Sequence, residues 1–286
     1  MVNGKPKDEK IYFIDTGSNI GSYNMAVDHY FARLESLDAP IFRTYSWKPH
    51  CISLGYHQKL EEIDVFKCEQ NEIDIVRRET GGRAVYHAEE LTYSIVIPKI
   101  SNFLYDNSIL KVYYRISEVL VLALKKSGIN DIILDRGELL DFKKLYKEKL
   151  SAICFSSTST FEVVSALEKK KIVGSAQKRL KNSILQHGSI LIGKEHINLI
   201  DFLKISDKLK IRFKEIVKKK TISIEEVLND IDIKKQFVDK LYNNLTNQLI
   251  DSLEESLKVD IIHYNLSEKD KSEIEKIQSE LYSKIK

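Results

Sequence analysis

Three arginines and two adjacent glycines precede an apolar run in the first third of the chain. The stretch RRETGGRAVYHAEELTYSIVIP runs from Arg77 to Pro98. Glycine lets a ligand approach the backbone closely and exposes N–H groups, and arginine adds positive charge. Strand alternation in RAVYH places Arg83, Val85 and His87 on one face. The pattern indicates a ligand-binding edge, although a hairpin turn with solvated arginines explains it equally well.

A cysteine at position 154 lies between apolar residues and a hydroxyl-rich segment, in AICFSSTSTFEVV. A cysteine in an apolar setting is most often a small buried hydrophobic residue. The small and hydroxyl-bearing residues after Cys154 also indicate a strand end that opens into a cleft, where a thiolate can act as a nucleophile. The residues alone favour the buried role and leave the nucleophile as the alternative.

Two further stretches carry polar residues within predicted strands. In KKIVGSAQKR, Lys171 begins a strand that Gly174 interrupts, and a glycine inside a strand marks a bulge or a close backbone approach. In LQHGSILI, His187 stands between apolar flanks. Taken singly, a solvated lysine at a strand start and a hydrogen-bonded structural histidine explain these patterns.

The composition argues against several classes of protein. The 286 residues include 45 basic and 42 acidic side chains, and the net charge of +3 is too small to argue for nucleic acid. The sequence has no apolar run long enough to span a bilayer, and its N-terminus, MVNGKPKDEK, lacks the apolar core of a signal peptide. We therefore expect a soluble, cytoplasmic protein that binds neither membranes nor nucleic acid.

The cysteines and histidines indicate neither a disulfide framework nor a metal site. The three cysteines, at positions 51, 68 and 154, are far apart in the sequence and form no CxxC pair. The seven histidines lack the spacing of metal ligands. We expect Cys51, in a strand pattern, and Cys68, in a helix pattern, to be structural.

The order of predicted elements indicates an α+β fold. Hairpins and long helices alternate without a βαβ rhythm, which predicts a mixed, largely antiparallel sheet flanked by helices. Neither glycine nor proline occurs from Asp201 to the C-terminus, and apolar residues there recur at three- and four-residue spacing. We therefore predict a main domain over residues 1–200 and a helical C-terminal extension over residues 201–286 that packs on it.

Local signals predict several elements within this outline. The pattern predicts strands at IFRTYSW and CISLGYH, around a turn at residues 48–50, and one helix at LEEIDVFKCEQN. Gly81 and Gly82 predict a tight turn between the strands IDIVRRE and RAVYH. A long helix should end at Gly128, and Ser267 is a plausible N-cap. The basic run 218–220 is typical of a solvated face, although it could also meet an acidic partner.

Taken together, these stretches resemble a known superfamily. RRETGGRAVYH, KKIVGSAQKR and LQHGSI, with YNMAVDHY and YSWKPHCISLGYHQ upstream, are similar to the biotin/lipoate protein ligases and lipoyl/octanoyl transferases, in the family's order and over most of the first 200 residues. The combination of ICF, FEVV, KIVGSAQKR and LQHGSI resembles the cysteine-dependent octanoyltransferases within that superfamily.

The resemblance assigns roles to individual residues. It implies that Cys154 is the nucleophile and that Lys171 faces the thioester carbonyl. It also implies a substrate-binding set, consisting of Arg77, Gly81, Gly82, Arg83, His87, Gly174 and His187. The sequence departs from the family pattern in SALEKKKIVG, where lysines replace a glycine-containing turn with arginine.

The resemblance also implies a reaction and its partners. We expect an octanoyl group to move from acyl carrier protein to a lysine of a lipoyl-domain protein, the glycine-cleavage H protein being the expected acceptor, with no cofactor. Thioester exchange onto a cysteine is nearly balanced and amide formation is downhill, so no nucleotide is needed. Both partner families are acidic, and basic residues suit them electrostatically: Arg77, Arg78, Lys178, Arg179 and Lys181.

Three alternatives to this reaction stay open at this point. The chain could be an ATP-dependent lipoate–protein ligase, which adenylates free lipoate and needs no cysteine. It could be an amidotransferase that moves octanoyl between lipoyl domains through the same kind of thioester. It could also be a non-catalytic module that binds an acyl carrier.

Overall fold

A computed structural model of the chain describes residues 9–135, 161–228 and 231–283, with backbone alone for 231–239. Cys154 lies outside them. None of the described helices is both long and apolar enough to cross a membrane.

The strands and helices follow one another in a mixed order. The strands are β1 (Lys10–Asn19), β2 (Ile41–Trp47), β3 (Cys51–Leu54), β4 (Asp74–Arg77), β5 (Val85–His87), β6 (Glu90–Pro98), β7 (Ile132–Asp135), β8 (Glu162–Ser165), β9 (Lys171–Arg179), β10 (Ser183–Leu191) and β11 (Asp260–His263). The helices are α1 (Gly21–Arg33), α2 (Val65–Gln70), α3 (Ile109–Lys126), α4 (Asp207–Lys220), α5 (Ile224–Leu228), α6 (Ile231–Leu257) and α7 (Glu268–Ile277), with 3-10 helices at Leu60–Glu62 and Glu195–Phe202.

Two sheets make up the β structure. The main sheet has the order β11-β1-β2-β6-β10-β9-β8-β7, and the small sheet has the order β4-β3-β5. In the main sheet β1 pairs in parallel with both β11 and β2, and the remaining neighbours are antiparallel. The predicted α+β fold with a mixed, largely antiparallel sheet is confirmed.

The main sheet is covered on both faces, and strand alternation separates the two cores. On β6, Leu91, Tyr93 and Ile95 belong to the large core that also contains buried residues of α3 and α6. Val96 faces the other way and packs with α1. Thr92 is also buried on the α1 face. A buried polar side chain needs a hydrogen-bond partner. Hydrogen-bonded polar side chains of the interior, such as Asp28 and His187, accordingly lie on this face.

The Gly81–Gly82 segment is not the predicted hairpin turn. Strands β4 and β5 lie on opposite sides of β3, the first parallel to it and the second antiparallel. Residues 78–84 therefore cross from one side of β3 to the other. The crossing is close: a Cβ added to Gly55, the residue after β3, would lie 2.0 Å from the Gly82 carbonyl oxygen. Gly82 adopts φ 91°, which favours glycine.

Four other local predictions have mixed outcomes. The strands predicted at IFRTYSW and CISLGYH exist, but β2 belongs to the main sheet and β3 to the small one. LEEIDVFKCEQN is not one helix but a 3-10 turn followed by α2, because Asp64 caps α2 by accepting from the Lys67 N–H. The long helix α3 ends as predicted, with Gly128 at φ 89°. Ser267 caps α7 in a capping box, which confirms that prediction.

One strand in the tail had no signal in the sequence. Strand β11 consists of four residues between α6 and α7 and pairs in parallel with β1, from Lys10 opposite Asp260 to Phe13 opposite His263. Its partner lies about 250 residues away in the chain. Tertiary pairing therefore stabilises a strand that local periodicity does not reveal.

The close crossing at Gly55 makes a testable prediction. Gly55→Ala should lower the free energy of unfolding by about 1–3 kcal/mol, because the new methyl group meets backbone that must move. Gly81→Ala is the matched control, since a Cβ at Gly81 has no atom within 4 Å and should change stability by less than about 0.5 kcal/mol. Urea denaturation measures both variants. If the Gly55→Ala and Gly81→Ala variants were equally stable, the close approach of Gly55 to the Gly82 carbonyl would be contradicted.

Candidate active site

A cleft opens between the main sheet and the small sheet. It encloses about 410 Å³, counting the part open to solvent. Its apolar wall consists of Met25, Tyr45, Trp47 and Val85. Its floor is the backbone of residues 174–176 on β9 and the facing part of β10. A mostly apolar cleft of this size with a few converging polar groups is the usual form of a small-molecule site.

The floor requires a glycine on β10. Gly188 lies opposite Ser175 on one side and Tyr93 on the other. A Cβ at Gly188 would lie 2.6 Å from the Gly174 carbonyl oxygen and 2.6 Å from Ser175 Oγ. Only glycine fits here without moving backbone, which explains the glycine in the motif LQHGSI.

Arg78 holds the loop beside the cleft. Its side chain is buried, and Nη2 donates to the carbonyl oxygens of Gly81 at 2.8 Å and Arg83 at 2.7 Å. Nη1 donates to the Ser53 carbonyl at 2.8 Å and to Ser53 Oγ at 3.1 Å. Nε donates to Thr80 Oγ1 at 3.2 Å. The guanidinium has donors only, so both hydroxyl groups must accept from it.

The first polar network runs from Thr80 through His187 to Asp28. Thr80 Oγ1 lies 2.6 Å from His187 Nε2, and His187 Nδ1 lies 3.3 Å from Asp28 Oδ2. Asp28 also accepts from Arg43 Nη1 at 2.8 Å and from the Tyr45 hydroxyl at 3.0 Å. Burial raises the pKa of Asp28, but the Arg43 guanidinium and the His187 contact outweigh it and hold that pKa below its usual value.

Burial shifts the pKa of His187 in the opposite direction, because the charged form of a histidine is the protonated one. It lowers the pKa of His187 more than Asp28 raises it, so the imidazole is neutral at pH 7. Since Thr80 accepts from Arg78, its own proton is directed to His187 Nε2, and the ring proton therefore sits on Nδ1 and is donated to Asp28.

The second polar network has the same order of groups. Ser53 Oγ lies 2.7 Å from His87 Nε2, and His87 Nδ1 lies 2.7 Å from Glu90 Oε1. Glu90 Oε1 also accepts from Thr92 at 2.6 Å and Ser189 at 2.7 Å. Burial raises the pKa of Glu90, but the His87 charge and these hydrogen bonds hold it below its usual value.

Stacking against Trp47 fixes the orientation of the His87 ring. The rings of Trp47 and His87 are stacked with centroids 4.1 Å apart, and Trp47 Nε1 donates to Thr92 Oγ1 at 2.7 Å. His87 thus has a set plane and set partners on both ring nitrogens. The cleft is bordered by two rigid histidines and one guanidinium.

The described residues show no metal centre. No group of three or more His, Cys, Asp or Glu side chains within the described ranges is arranged to hold a metal ion. Each of the two carboxylates at the cleft is instead compensated by hydrogen-bond donors.

Comparisons with known proteins decide the family. The family model of the lipoyl protein ligase A/B catalytic domain matches residues 21–246. Octanoyltransferase LipM of Clostridioides difficile (strain 630) is 39% identical over 273 residues, which cover 93% of this chain and 92% of that protein. Octanoyltransferase LipM of Staphylococcus epidermidis is 34% identical over 275 residues, 95% of each chain. The chain belongs to the LipM octanoyltransferases. It is an acyltransferase, as its motifs predicted.

Solved structures confirm the fold of this LipM family member. The chain superposes on lipoate-protein ligase A bound with ATP with a TM-score of 0.70 at 24% identity, covering 97% of this chain and 96% of that one. It also matches the bi-partite lipoate protein ligase of an archaeal lipoylation system from Thermoplasma acidophilum, with a TM-score of 0.72 at 23% identity, covering 97% and 94%. At these identities the likeness concerns the fold alone.

The structure brings some of the predicted substrate-binding residues of this octanoyltransferase into one place. His87, Gly174 and His187 line the cleft, together with Val85. The buried side chains of Val173 and Ile190, on the same two strands, belong to the large core on the opposite side of the sheet and are not among the residues that line the cleft.

The other predicted substrate-binding residues lie around the cleft rather than in its described lining. Arg77 Nη1 donates to the carbonyl oxygens of Gly55 at 3.0 Å and Gln58 at 2.6 Å, so its side chain closes the loop after β3. Gly81, Gly82 and Arg83 belong to the loop that Arg78 holds, and the Arg83 carbonyl is one of its acceptors. These positions support the cleft through the backbone.

The predicted catalytic pair lies partly outside the described residues, since Cys154 is not among them. Lys171 is the first residue of β9, and its Nζ donates to Glu162 Oε1 at 2.7 Å, with the side chains 8% and 9% exposed. Gly174 in the cleft floor follows three residues later, about 10 Å along the strand.

Four buried polar residues of the cleft were not predicted as site residues: Asp28, Ser53, Arg78 and Glu90. Asp28 stands in the amphipathic helix sequence YNMAVDHY on its buried face, and its partner Arg43 follows Phe42 in the largely buried strand IFRTYSW. The sequence did carry a signal for these residues. Periodicity assigns a charged residue to the core, and such a residue is buried only when it is paired.

The lowered pKa of His187 predicts a pH dependence of stability. Above pH 6.5 the ring is neutral in both states; below it, the unfolded chain binds a proton that the folded state resists. Stability should therefore fall as the pH drops from 7 to 5, with His187 contributing a slope of up to about 1.4 kcal/mol per pH unit. His187→Asn should show a shallower slope in urea denaturation at several pH values, while buried His196 contributes to both proteins. Equal slopes would contradict the buried neutral state of His187.

Proposed function

We propose that this octanoyltransferase takes octanoyl from acyl carrier protein and passes it, through a thioester on Cys154, to a lysine of a lipoyl-domain protein such as the glycine-cleavage H protein. The observation that carries the proposal is the cleft, whose wall is apolar and whose border consists of fixed polar groups. The apolar wall suits a hydrocarbon chain and the polar border suits a carbonyl group. The lipoyl-domain acceptor also agrees with the archaeal lipoylation system, whose ligase acts with an E2 lipoyl domain.

The other two cysteines are unsuited to nucleophilic attack. Cys51 is fully buried, and burial raises the pKa of its thiol well above the usual value. Burial also raises the pKa of Cys68 to about 11. The thiolate is the attacking form, so a raised pKa makes both poor nucleophiles. This supports Cys154 as the acyl carrier on the enzyme.

The chain after Cys154 leads to the Lys171 ion pair. Phe161 follows Cys154 by seven residues and directly precedes Glu162, which accepts from Lys171 at 2.7 Å. An ammonium group beside a cysteine favours its thiolate, so Lys171 is the proposed partner of Cys154.

The proposed cycle has two half-reactions. The Cys154 thiolate attacks the carbonyl carbon of the octanoyl thioester, and the carbon–sulfur bond to the carrier breaks as its thiol leaves with a proton. The amine of the acceptor lysine then attacks the octanoyl-cysteine thioester, loses a proton, and forms an amide as the Cys154 thiolate leaves. Lys171 stabilises the negative charge on oxygen or sulfur during both steps. Each step exchanges one acyl bond for another, so no nucleotide enters.

The apolar wall favours chains of defined length. Each buried methylene group contributes about 0.8 kcal/mol, so a donor shortened by two methylenes loses about 1.6 kcal/mol, or about 15-fold in binding. Burial of the chain also excludes water from the thioester, which slows its hydrolysis.

The direct test of the function is an assay without nucleotide. Purified enzyme should transfer octanoyl from octanoyl carrier protein to a lipoyl domain without ATP, and Cys154→Ala should form no octanoyl-enzyme adduct in mass spectrometry. Octanoylation that needs free octanoate and ATP, or full activity of the Cys154→Ala variant, would support the ligase instead. The wild-type adduct, observed without an acceptor, is the positive control.

Variants of the buried Lys171–Glu162 ion pair distinguish a catalytic role of Lys171 from a structural one. Lys171→Met leaves the buried Glu162 carboxylate without this partner, which commonly costs about 3–5 kcal/mol of stability. The double variant Lys171→Met/Glu162→Gln removes both charges and should recover most of that loss. We expect both variants to form the acyl enzyme at least about tenfold more slowly than wild type, and to need a higher pH for alkylation of Cys154. Normal acylation in the stable double variant would show that Lys171 only stabilises the fold.

A further inference from the structure

Helix α4 (Asp207–Lys220) is the most basic stretch of regular structure among the described residues. Its sequence, DKLKIRFKEIVKKK, has seven lysine or arginine side chains and two acidic ones. The whole chain has a net charge of only +3. The positive charge is therefore concentrated on one helix, which buries only Phe213 and Val217.

Part of this charge is not compensated within the described chain. Lys210, Lys214 and Lys218 form ion pairs with nearby carboxylates. The exposed side chains of Lys208, Arg212 and Lys219 have no such pair there.

An apolar side chain lies within the same exposed face. Ile211 is 70% exposed. It lies one turn after Lys208 and precedes Arg212 in the chain, with Lys219 two turns further along the helix. An exposed apolar side chain among cations offers both apolar contact and charge complementarity to an acidic protein.

Helix stability explains only one end of this charge. Lysines in the last turn interact favourably with the negative end of the helix dipole, which accounts for residues 218–220. Lys208 lies in the first turn, where a cation is unfavourable, and Arg212 lies beyond the reach of the last turn. The helix dipole therefore does not account for these two residues.

The basic end of α4 is attached to the proposed catalytic lysine. Thr221, directly after the helix, forms a parallel bridge with Lys171, and the Ile222 N–H donates to the Lys171 carbonyl at 3.0 Å. Phe213 and Val217 pack into the core behind β5, which also contains Tyr86. The helix therefore lies behind the small sheet and ends beside Lys171.

We propose that the exposed face of α4, formed by Lys208, Ile211, Arg212 and Lys219, docks the acidic acyl carrier protein that delivers octanoyl. The proposal rests on the proposed function. The helix extends about 16 Å from Lys219 back to Lys208, away from Lys171. The donor carries its thioester on a long prosthetic arm, so its folded domain can sit on this remote surface. The acceptor lysine reaches only the length of its four-carbon side chain and must dock directly over the cleft.

Four of the five basic residues expected to meet the partners have other roles. Lys178 pairs with Glu79 at 2.6 Å, and Arg179 donates to the Asp106 carbonyl at 2.7 Å. Arg77 and Arg78 hold the loops of the small sheet. The fifth, Lys181, is exposed and has no ion pair within the described residues, but it is a single charge, whereas α4 carries three such cations.

The test compares two charge reversals of equal size. Arg212→Glu/Lys219→Glu changes α4, and Lys269→Glu/Lys276→Glu changes exposed lysines of α7 that have no ion pair within the described residues. Initial rates of acyl-enzyme formation are measured by quenched mass spectrometry with two donors, octanoyl carrier protein and octanoyl-pantetheine. The second donor carries the thioester without the protein.

We expect the α4 variant to raise KM for octanoyl carrier protein by about tenfold or more, with unchanged rates from octanoyl-pantetheine. The α7 variant should match wild type with both donors. The wild-type KM should also rise with salt, and that dependence should be weaker in the α4 variant.

Several outcomes would overturn the docking surface. These are an unchanged carrier KM in the α4 variant, an equal loss with octanoyl-pantetheine, or a raised KM for the lipoyl domain in place of the carrier. Unchanged carrier KM with lost binding to phosphatidylserine vesicles would assign the helix to a membrane surface. A wild-type enzyme that accepts octanoyl from pantetheine but not from the carrier also overturns it, whereas acylation by neither donor overturns the proposed function itself.

Discussion

The guanidinium of Arg78 organises the whole cleft. It is buried, it holds the loop that crosses the end of β3, and it donates to one hydroxyl group in each of the two histidine networks. Because arginine cannot accept a hydrogen bond, Ser53 and Thr80 must both accept from it, and the Thr80 proton turns toward the neutral His187. One side chain thereby holds the loop and joins the two networks.

The two networks end on carboxylates that are charged although they are buried. Arg43 compensates Asp28, and His87 with two hydroxyl groups compensates Glu90. Each of these pairs is costly to desolvate and costly to break, which makes the arrangement rigid. Rigid, directed polar groups at the edge of an apolar cleft suit a reaction whose charge appears only briefly on a carbonyl oxygen.

The sequence predicted what depends on neighbours in the chain. Helix α3, its end at Gly128 and the N-cap at Ser267 are local features, and the structure confirms them. The mixed sheet was predicted from the order of the elements. The motifs also placed His87, Gly174 and His187 in one region, because each motif lies on a strand that borders the cleft.

The features that the sequence did not predict depend on distant partners. Strand β11 exists because β1 pairs with it, and the Gly81–Gly82 segment crosses β3 because β4 and β5 both pair with that strand. Asp28 looked like an ordinary residue of an amphipathic helix, and its importance appears only when β2 brings Arg43 and β10 brings His187 to it. Arg78 looked like a surface charge for the same reason.

The central claim is that the enzyme holds octanoyl on Cys154 within the cleft between the two sheets. A crystal structure of the octanoyl-enzyme, trapped without an acceptor, tests this most directly. The account predicts continuous density from Cys154 Sγ to an acyl chain that lies against Trp47 and Val85, with its carbonyl near Lys171. An acyl chain attached to another residue, or one that lies outside this cleft, would contradict it.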